Sequence, residues 1–241
     1  MHHVVLERWS RGRSPLHARE PRVKIIALLC FLVVVATTPC PPFFPQAGYA
    51  LLLGFALLLA RLPLLSVLLR AAAVLPLSAA FAGLSLLAGD AARAGALVAK
   101  SYLSALAVLV VVGTTPVPDL LRGLESLGAP RFLILVVQFL YRYLFVISEQ
   151  AQHMRLSAAC RGLTGSALGW RGKLQTAAGA VSMLFYRSHA RADGIHKAML
   201  ARGYQGRLPT LTSYRLRWAD ALFLSAAVLA PLVLRSLGGI R

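Results

Sequence analysis

The segment RFLILVVQFLYRYLFVISEQAQHMR, residues 131–155, decides how many times this chain crosses a membrane. Its composition resembles that of a transmembrane helix, but the apolar stretch, which contains Gln138, ends at Arg142, about 11 residues into the segment. An arginine in the middle of a bilayer costs about 2.5–3.5 kcal/mol even on lenient insertion scales. We therefore interpret this segment as a helix that does not cross.

The composition outside this segment indicates a membrane protein. Of 241 residues, 58% are hydrophobic and 14% are charged, whereas a soluble domain carries about 25% charged residues. The 26 Lys and Arg residues exceed the 8 Asp and Glu residues, which gives a formal net charge of +18. Basic loops beside apolar segments are typical of the positive-inside rule and of contact with anionic lipid headgroups. No nucleic-acid recognition motif accompanies the charge, so we expect a lipid bilayer and no nucleic acid as a partner.

Five apolar runs are predicted to span the membrane as helices, because a crossing needs about 20 apolar residues. A break with four prolines, PCPPFFPQ, makes a tight hairpin of the first two. Lys100 lies near a span end, from which its ammonium group can extend to the interface. Pro76 is expected to kink the third span. The runs are residues 23–39, 43–60, 71–89, 94–113 and 221–234.

Charge counting sets the topology. Residues 1–24 hold six Lys or Arg and no evident cleavable signal, so the N-terminus is predicted to be cytoplasmic. Four spans return the chain to that side, where residues 115–217 carry 14 Lys or Arg against four acids. The expected fold is an all-α integral membrane protein, with about five transmembrane helices and a cytoplasmic or interfacial domain of one short and two long helices. The predicted divisions are a basic segment 1–22, four spans 23–113, the helical domain 114–217, and a last span with tail 218–241.

Both long helices of residues 114–217 are predicted to end at Arg-Gly. The first reads LSAACRGLTG (156–165) and the second KAMLARGYQG (197–206), so Arg161 and Arg202 superpose after a shift of 41 residues. A glycine just past the last helical residue is a common helix terminator, and a cation there suits the helix dipole. The guanidinium group also matches a carboxylate as a planar fork of donors. Two such ends on one basic domain favour docking onto a partner with two acidic grooves.

Four stretches of the chain together carry a family resemblance: SPLHAREPRVK (14–24), TTPVPDLLRGLESLGAPR (114–131), YRYLFVISEQAQHMRLSAACRG (141–162) and AMLARGYQG (198–206). They resemble the transmembrane T component of energy-coupling factor (ECF) transporters, nearest its cobalt-type CbiQ branch. In AREPR, Glu20 stands where the family pattern has aspartate.

The resemblance implies that paired Ala-Arg-Gly motifs dock two ABC-type ATPases. Carried over, the motifs are Cys160-Arg161-Gly162, with cysteine in place of alanine, and Ala201-Arg202-Gly203. The implied partners are the ATPase pair and a substrate-binding membrane subunit (S component). ATP and Mg²⁺ would be bound by the ATPases and no cofactor by this chain. Cobalt uptake for cobalamin synthesis is the implied role, with nickel or a vitamin such as biotin as alternatives.

Other patterns carry less chemistry. ALGWRGKL (167–174) lacks the first glycine and the Ser or Thr of a phosphate-binding loop, so ATP binding by this chain is not expected. His189, Asp193 and His196 share one helical face and could hold a metal, and His2 and His3 could chelate one at the terminus, but a solvated face and a plain terminus are favoured. The acids form no recognisable catalytic arrangement, so we expect no catalytic residue. A membrane-interface enzyme acting on lipids is the alternative function, and a membrane-anchored nucleic-acid binder is a third.

Overall fold

The structure, a computed structural model, describes residues 9–10, 12, 14–38, 43–163, 169–206 and 218–239. Regular secondary structure in these residues is helical throughout, which confirms the all-α class. We number the α-helices in chain order: α1 Pro21–Thr37, α2 Phe43–Ala60, α3 Leu64–Ala71, α4 Leu75–Leu87, α5 Ala91–Thr114, α6 Val117–Ser126, α7 Arg131–Cys160, α8 Trp170–Ala201 and α9 Trp218–Gly239.

The third predicted span begins earlier than its apolar run suggested. Helix α3 starts at Leu64, and a short 3₁₀ segment, Ala72–Val74, joins it to α4. Pro76 lacks the N–H that would bond to the carbonyl of Ala72, and the N–H of Leu75 bonds to that carbonyl instead. The proline thus interrupts the regular α-helix where a kink was expected.

Four helical stretches in the described residues are long and apolar enough to cross a membrane. Helix α2 contributes a shorter apolar stretch, Pro45–Ala60. Arg131–Cys160 belongs to the four by length and composition, so the interpretation that α7 does not cross stays a prediction based on Arg142 and on charge counting. The four are Leu64–Leu87, Ala91–Thr114, Arg131–Cys160 and Trp218–Ser236.

The chain divides into two compact units. Unit 1 comprises Met1–Ile134 and Tyr214–Arg241, and unit 2 comprises Leu135–Ser213. Unit 1 contains a cluster of buried apolar side chains, in which Tyr49 is 1% exposed and Val67 is fully buried. Tyr49 meets Phe31 edge to face, with ring centroids 5.9 Å apart. Unit 1 therefore has a core of its own.

The described part of the basic N-terminal segment is folded into unit 1. Leu16 is buried in the core, and the ring of His17 bonds to both Ser14 and the carbonyl oxygen of Trp9. The guanidinium of Arg70 lies 4.5 Å from the centre of the Trp9 ring, a cation–π contact. His2, His3 and Cys40 lie outside the described residues.

Helices α1 and α5 are joined by a reciprocal pair of lysines. The ammonium of Lys24, on α1, donates to the carbonyl of Thr114 (3.1 Å) and the hydroxyl of Thr115 (3.0 Å) at the end of α5. The ammonium of Lys100, on α5, donates to the carbonyl of Thr38 (2.6 Å) just past the end of α1. Each lysine thus satisfies a carbonyl that its partner helix leaves without an intrahelical donor. Lys100 bonds to protein rather than only extending to the interface.

The short helix α6 packs against α1. A Cβ atom added to Gly123 would lie 3.0 Å from Cδ1 of Ile25 and 3.3 Å from Cβ of Pro21, so glycine permits the close approach. Glu20, just before α1, is buried, and its carboxylate lies 3.1 Å from the Nε atom of Arg22. The sequence prediction placed α6 with the two long helices in residues 114–217, and that division stays a prediction.

Candidate functional site

The two long helices of unit 2 have no buried core in the residues that the structure describes. From Leu135 to Gly206, outside the gap at 164–168, every described residue is half-buried or exposed. In residues 150–158 of α7 and 172–188 of α8, the half-buried positions repeat every four residues, a spacing that forms one ridge along a helix. On α7 the ridge includes Gln150, Met154 and Ala158, and on α8 it comprises Gly172, Thr176, Ala180, Leu184 and Ser188.

Helix α7 ends in a Schellman turn built around Gly162. The N–H of Gly162 donates to the carbonyl of Ala159 (3.0 Å), and the N–H of Leu163 donates to the carbonyl of Ala158 (3.0 Å). The φ angle of Gly162 is 72°, in the left-handed region that glycine adopts without strain. Arg161 is the capping residue, one position before the glycine.

Helix α8 ends in the same turn. The N–H of Gly203 donates to the carbonyl of Leu200 (3.0 Å), and the N–H of Tyr204 donates to the carbonyl of Met199 (3.0 Å). The φ angle of Gly203 is 76°, and Arg202 caps the helix. The predicted repeat of 41 residues is therefore a repeat of backbone geometry as well as of sequence.

Two other helix ends separate the role of the glycine from the role of the arginine. Helices α4 and α6 stop in the same turn, with Gly89 (φ 87°) and Gly128 (φ 104°) in the left-handed position. Their capping residues are Ala88 and Leu127. The turn explains the glycine at all four ends and does not require an arginine.

The arginines of the two predicted coupling motifs are accessible from outside the chain. Arg161 and Arg202 are exposed, and within the described residues neither has a carboxylate oxygen within 4.0 Å. Cys160 and Ala201, the last helical residues, are exposed as well, and the Cys160 thiol is free. Each end can therefore offer a guanidinium fork to an external carboxylate without first breaking an ion pair.

Two clefts lie between α7 and α8. The larger, of about 710 Å³, is lined by charged groups that include Arg161, Arg187 and Arg191. The smaller, of about 400 Å³, is mostly apolar. Both are lined by Met154, Ala158, Leu163 and Ala180, which therefore lie between them.

The two arginines are placed differently with respect to these clefts. Arg161 follows Ala158 by three residues and lines the larger cleft. Arg202 follows Ala180 by 22 residues, which corresponds to about 33 Å along the axis of α8, and it lines neither cleft. The motifs thus stand at two separate points of unit 2 rather than in one site.

The larger cleft also contains charged groups that the sequence analysis did not assign to a site. His153 and Glu149, one turn apart on α7, approach each other to 3.9 Å, and both line the cleft with Arg187 and Arg191. The half-buried positions that identify the facing sides of α7 and α8 are known only from the structure, so no local sequence signal locates this cleft.

The residues considered as a metal site, His189, Asp193 and His196, lie on an exposed face of α8. Nε2 of His189 lies 4.0 Å from Oδ2 of Asp193, and both side chains are exposed. Among the described residues, no group of three or more His, Cys, Asp or Glu side chains could hold a metal ion. Within the phosphate-loop-like stretch, Trp170 to Leu174 form the first turns of α8, and Ala167 and Leu168 lie outside the described residues.

Comparison with known proteins gives a consistent picture. The model of the cobalt transport protein family CbiQ matches residues 12–214. The cobalt transport protein CbiQ of Rhodobacter capsulatus is 32% identical over 200 residues, which cover 79% of this chain and 80% of the relative. The energy-coupling factor transporter transmembrane protein EcfT of Bacillus selenitireducens is 27% identical over 98% of each chain. The nickel permease LarQ of Lactiplantibacillus plantarum is 34% identical over 48% of this chain and 41% of the relative.

Proposed function

The chain belongs to the CbiQ family of cobalt transport proteins, and on that premise we propose that it is the energy-coupling subunit of an ECF-type ABC importer. It is a multi-pass membrane protein of a transport system. In our proposal it docks two ABC-type ATPases and transmits their ATP-driven motion to a substrate-binding membrane subunit. ATP and Mg²⁺ belong to the ATPases, and this chain itself is not an enzyme.

The observation that carries the proposal is the difference among the four glycine-terminated helix ends. All four share one backbone turn, but only the ends at Gly162 and Gly203 carry a capping arginine. Both guanidinium groups are exposed and lack an ion pair within the described residues. An always-charged planar fork at a rigid helix end suits a carboxylate in a partner groove.

The separation of the two ends supports docking on two subunits rather than one. Arg161 lies beside the approach of α7 and α8, and Arg202 lies about 33 Å along α8 from Ala180. Two copies of one ATPase, each with an acidic groove, would fit two equivalent helix ends. The orientation that serves this role places the N-terminus and residues 114–217 in the cytoplasm of a bacterial cell, where the ATPases find ATP.

For the substrate we propose cobalt ion, taken up for cobalamin synthesis. The matching family and the relative from Rhodobacter capsulatus are described as cobalt transport proteins. The relative described as a nickel permease makes nickel the first alternative, and a vitamin such as biotin the second. Radioactive cobalt uptake by cells that express the complete complex, with nickel and biotin as competitors, separates the three.

The docking test reverses both charges. In the variant Arg161→Glu with Arg202→Glu, we expect membrane insertion to be retained and co-purification of the ATPases to fall by about 100-fold, because two charge-assisted contacts become repulsive. The matched control is Arg171→Glu with Lys197→Glu, which changes two exposed cations of α8 outside the motifs. ATPase capture that survives the first variant, or falls equally in the control, would contradict the proposal.

A further inference from the structure

We propose that the smaller cleft between α7 and α8 binds one anionic phospholipid of the surrounding bilayer. The acyl chain occupies the cleft, and the phosphate lies between Arg155 of α7 and Lys173 of α8. This site shares Ala158 and Leu163 with the turn that ends α7, but it uses neither Arg161 nor Arg202.

The walls of the cleft fit a hydrocarbon chain. Apart from the two cations and Thr176, every lining residue is apolar, and the hydroxyl of Thr176 is already bonded to the carbonyl of Gly172 (2.9 Å) within its own helix. The volume of about 400 Å³ lies within the range of ligand sites in proteins. The apolar lining residues are Ala151, Met154, Ala158, Leu163, Ala177, Ala180, Val181 and Leu184.

The charges of the cleft fit an anionic headgroup. Arg155 and Lys173 come from different helices and line the same cleft. Both are exposed, and no acidic residue lines the cleft with them. A cleft with apolar walls and two positive charges favours a molecule that is apolar along its length and negatively charged at one end. Basic pockets between helices at a membrane surface bind lipid phosphates for this reason.

The dimensions and setting of the cleft favour a lipid over a protein segment. A single turn of a helix, 5.4 Å long and about 10–12 Å across with its side chains, occupies about 400–600 Å³, which already equals or exceeds the volume of the cleft, about 400 Å³. Val181, on its wall, is 66% exposed. Helix α7 is long and apolar enough to cross a membrane, so phospholipids are the amphiphilic molecules that surround the protein.

Native mass spectrometry of the full chain tests the site. The protein is released from nanodiscs made of equal parts phosphatidylglycerol and phosphatidylcholine. We expect one phosphatidylglycerol to be retained in preference to phosphatidylcholine. Arg155→Gln with Lys173→Gln should lower the retained fraction about tenfold, because the anionic headgroup loses both cations. Ala177→Phe, which fills the cleft and leaves its charges intact, should lower the retained fraction similarly.

The control variant Arg171→Gln with Lys197→Gln removes the same charge from α8 outside the cleft, and retention should stay within twofold of the unchanged chain. Equal retention of the two lipids, or an equal loss in the control, would overturn the site. A photo-crosslinker placed at Val181 should label lipid. Labelling of another protein instead would assign the cleft to a protein partner, and displacement of the lipid by millimolar inorganic phosphate would refute the role of the acyl chain.

Discussion

Units 1 and 2 contain similar helices and differ in where those helices bury their side chains. Unit 1 encloses a cluster of buried residues and joins α1 to α5 through two lysines. Unit 2 consists mainly of two helices of 30 and 32 residues that, within the described residues from Leu135 onward, bury no side chain. Since most helical stability in proteins comes from packing, unit 1 owes its structure to its own chain, and unit 2 depends on what it contacts.

The largest expected difference between the two units is the stability cost of a charge placed in each of them. Val67→Asp puts an unpaired carboxylate at a fully buried position of unit 1, and we expect it to lower the free energy of unfolding by about 4 kcal/mol. Ala190→Asp, at an exposed position of α8, should cost less than about 1 kcal/mol. Denaturation titrations of both variants in detergent micelles measure the difference, and comparable losses would remove the contrast.

Hydrogen exchange measures the difference in local stability between the two units without a mutation. Amides in the middle of α5 should exchange at least about 100-fold more slowly than amides in the middle of α8, because local opening is easiest where few apolar contacts are lost. Adding the ATPases should slow exchange at the ends of α7 and α8 and leave α5 unchanged. Uniform protection of both helices in the isolated chain would show that unit 2 is as self-sufficient as unit 1.

The lysines of unit 1 give a smaller effect. Lys24→Met leaves the carbonyl of Thr114 and the hydroxyl of Thr115 without their donor, and we expect a loss of about 1–3 kcal/mol of stability. Lys197→Met, on an exposed position of α8, should stay within about 0.5 kcal/mol of the unchanged protein. Thermal unfolding followed by circular dichroism compares the two. If Lys24→Met left the stability unchanged, the ammonium group would not hold the helices together.

The smallest expected effect distinguishes two glycines of α8 and its terminal turn. Gly203→Ala forces a β-carbon into the left-handed region and should destabilise the helix end by about 1 kcal/mol. Gly179→Ala, at a helical position where an added Cβ meets nothing within 4 Å, should instead stabilise α8 by up to about 1 kcal/mol. The exchange rate of the Tyr204 amide reports the first change, and the amides around residue 179 report the second. A Tyr204 rate unaffected by Gly203→Ala would contradict the turn.

Local patterns in the sequence predicted the helices well. The short helix predicted within residues 114–217 is Val117–Ser126, and the long helices predicted to end at the two Arg-Gly pairs end at Cys160 and Ala201. Prolines, glycines and apolar runs act within a few residues, so their effects can be read directly. The start of α3 at Leu64 was not predicted, because Arg61, Pro63 and Arg70 interrupt the apolar sequence before residue 71.

Contacts between distant residues could not be predicted in this way. Lys24 and Lys100 are single cations at the edge of apolar runs, and nothing beside them in sequence points to carbonyls 90 and 62 residues away. The prediction that Arg161 and Arg202 are coupling residues came from the resemblance to a family, together with the repeat of Arg-Gly. The larger cleft required the three-dimensional approach of α7 and α8, because its arginines are spread from residue 161 to residue 191.

The reciprocal lysines give the α1–α5 pair a mechanical property. The chain advances 14 residues from Lys24 to Thr38, and again 14 from Lys100 to Thr114. The hydrogen bonds at the two ends of the helix pair are therefore about 21 Å apart along the helix axis. A slide of one helix along the other by one residue moves every atom by about 1.5 Å and displaces the bonds at both ends together. The two helices therefore resist sliding along each other, and a displacement at one end of the pair is transmitted to the other end.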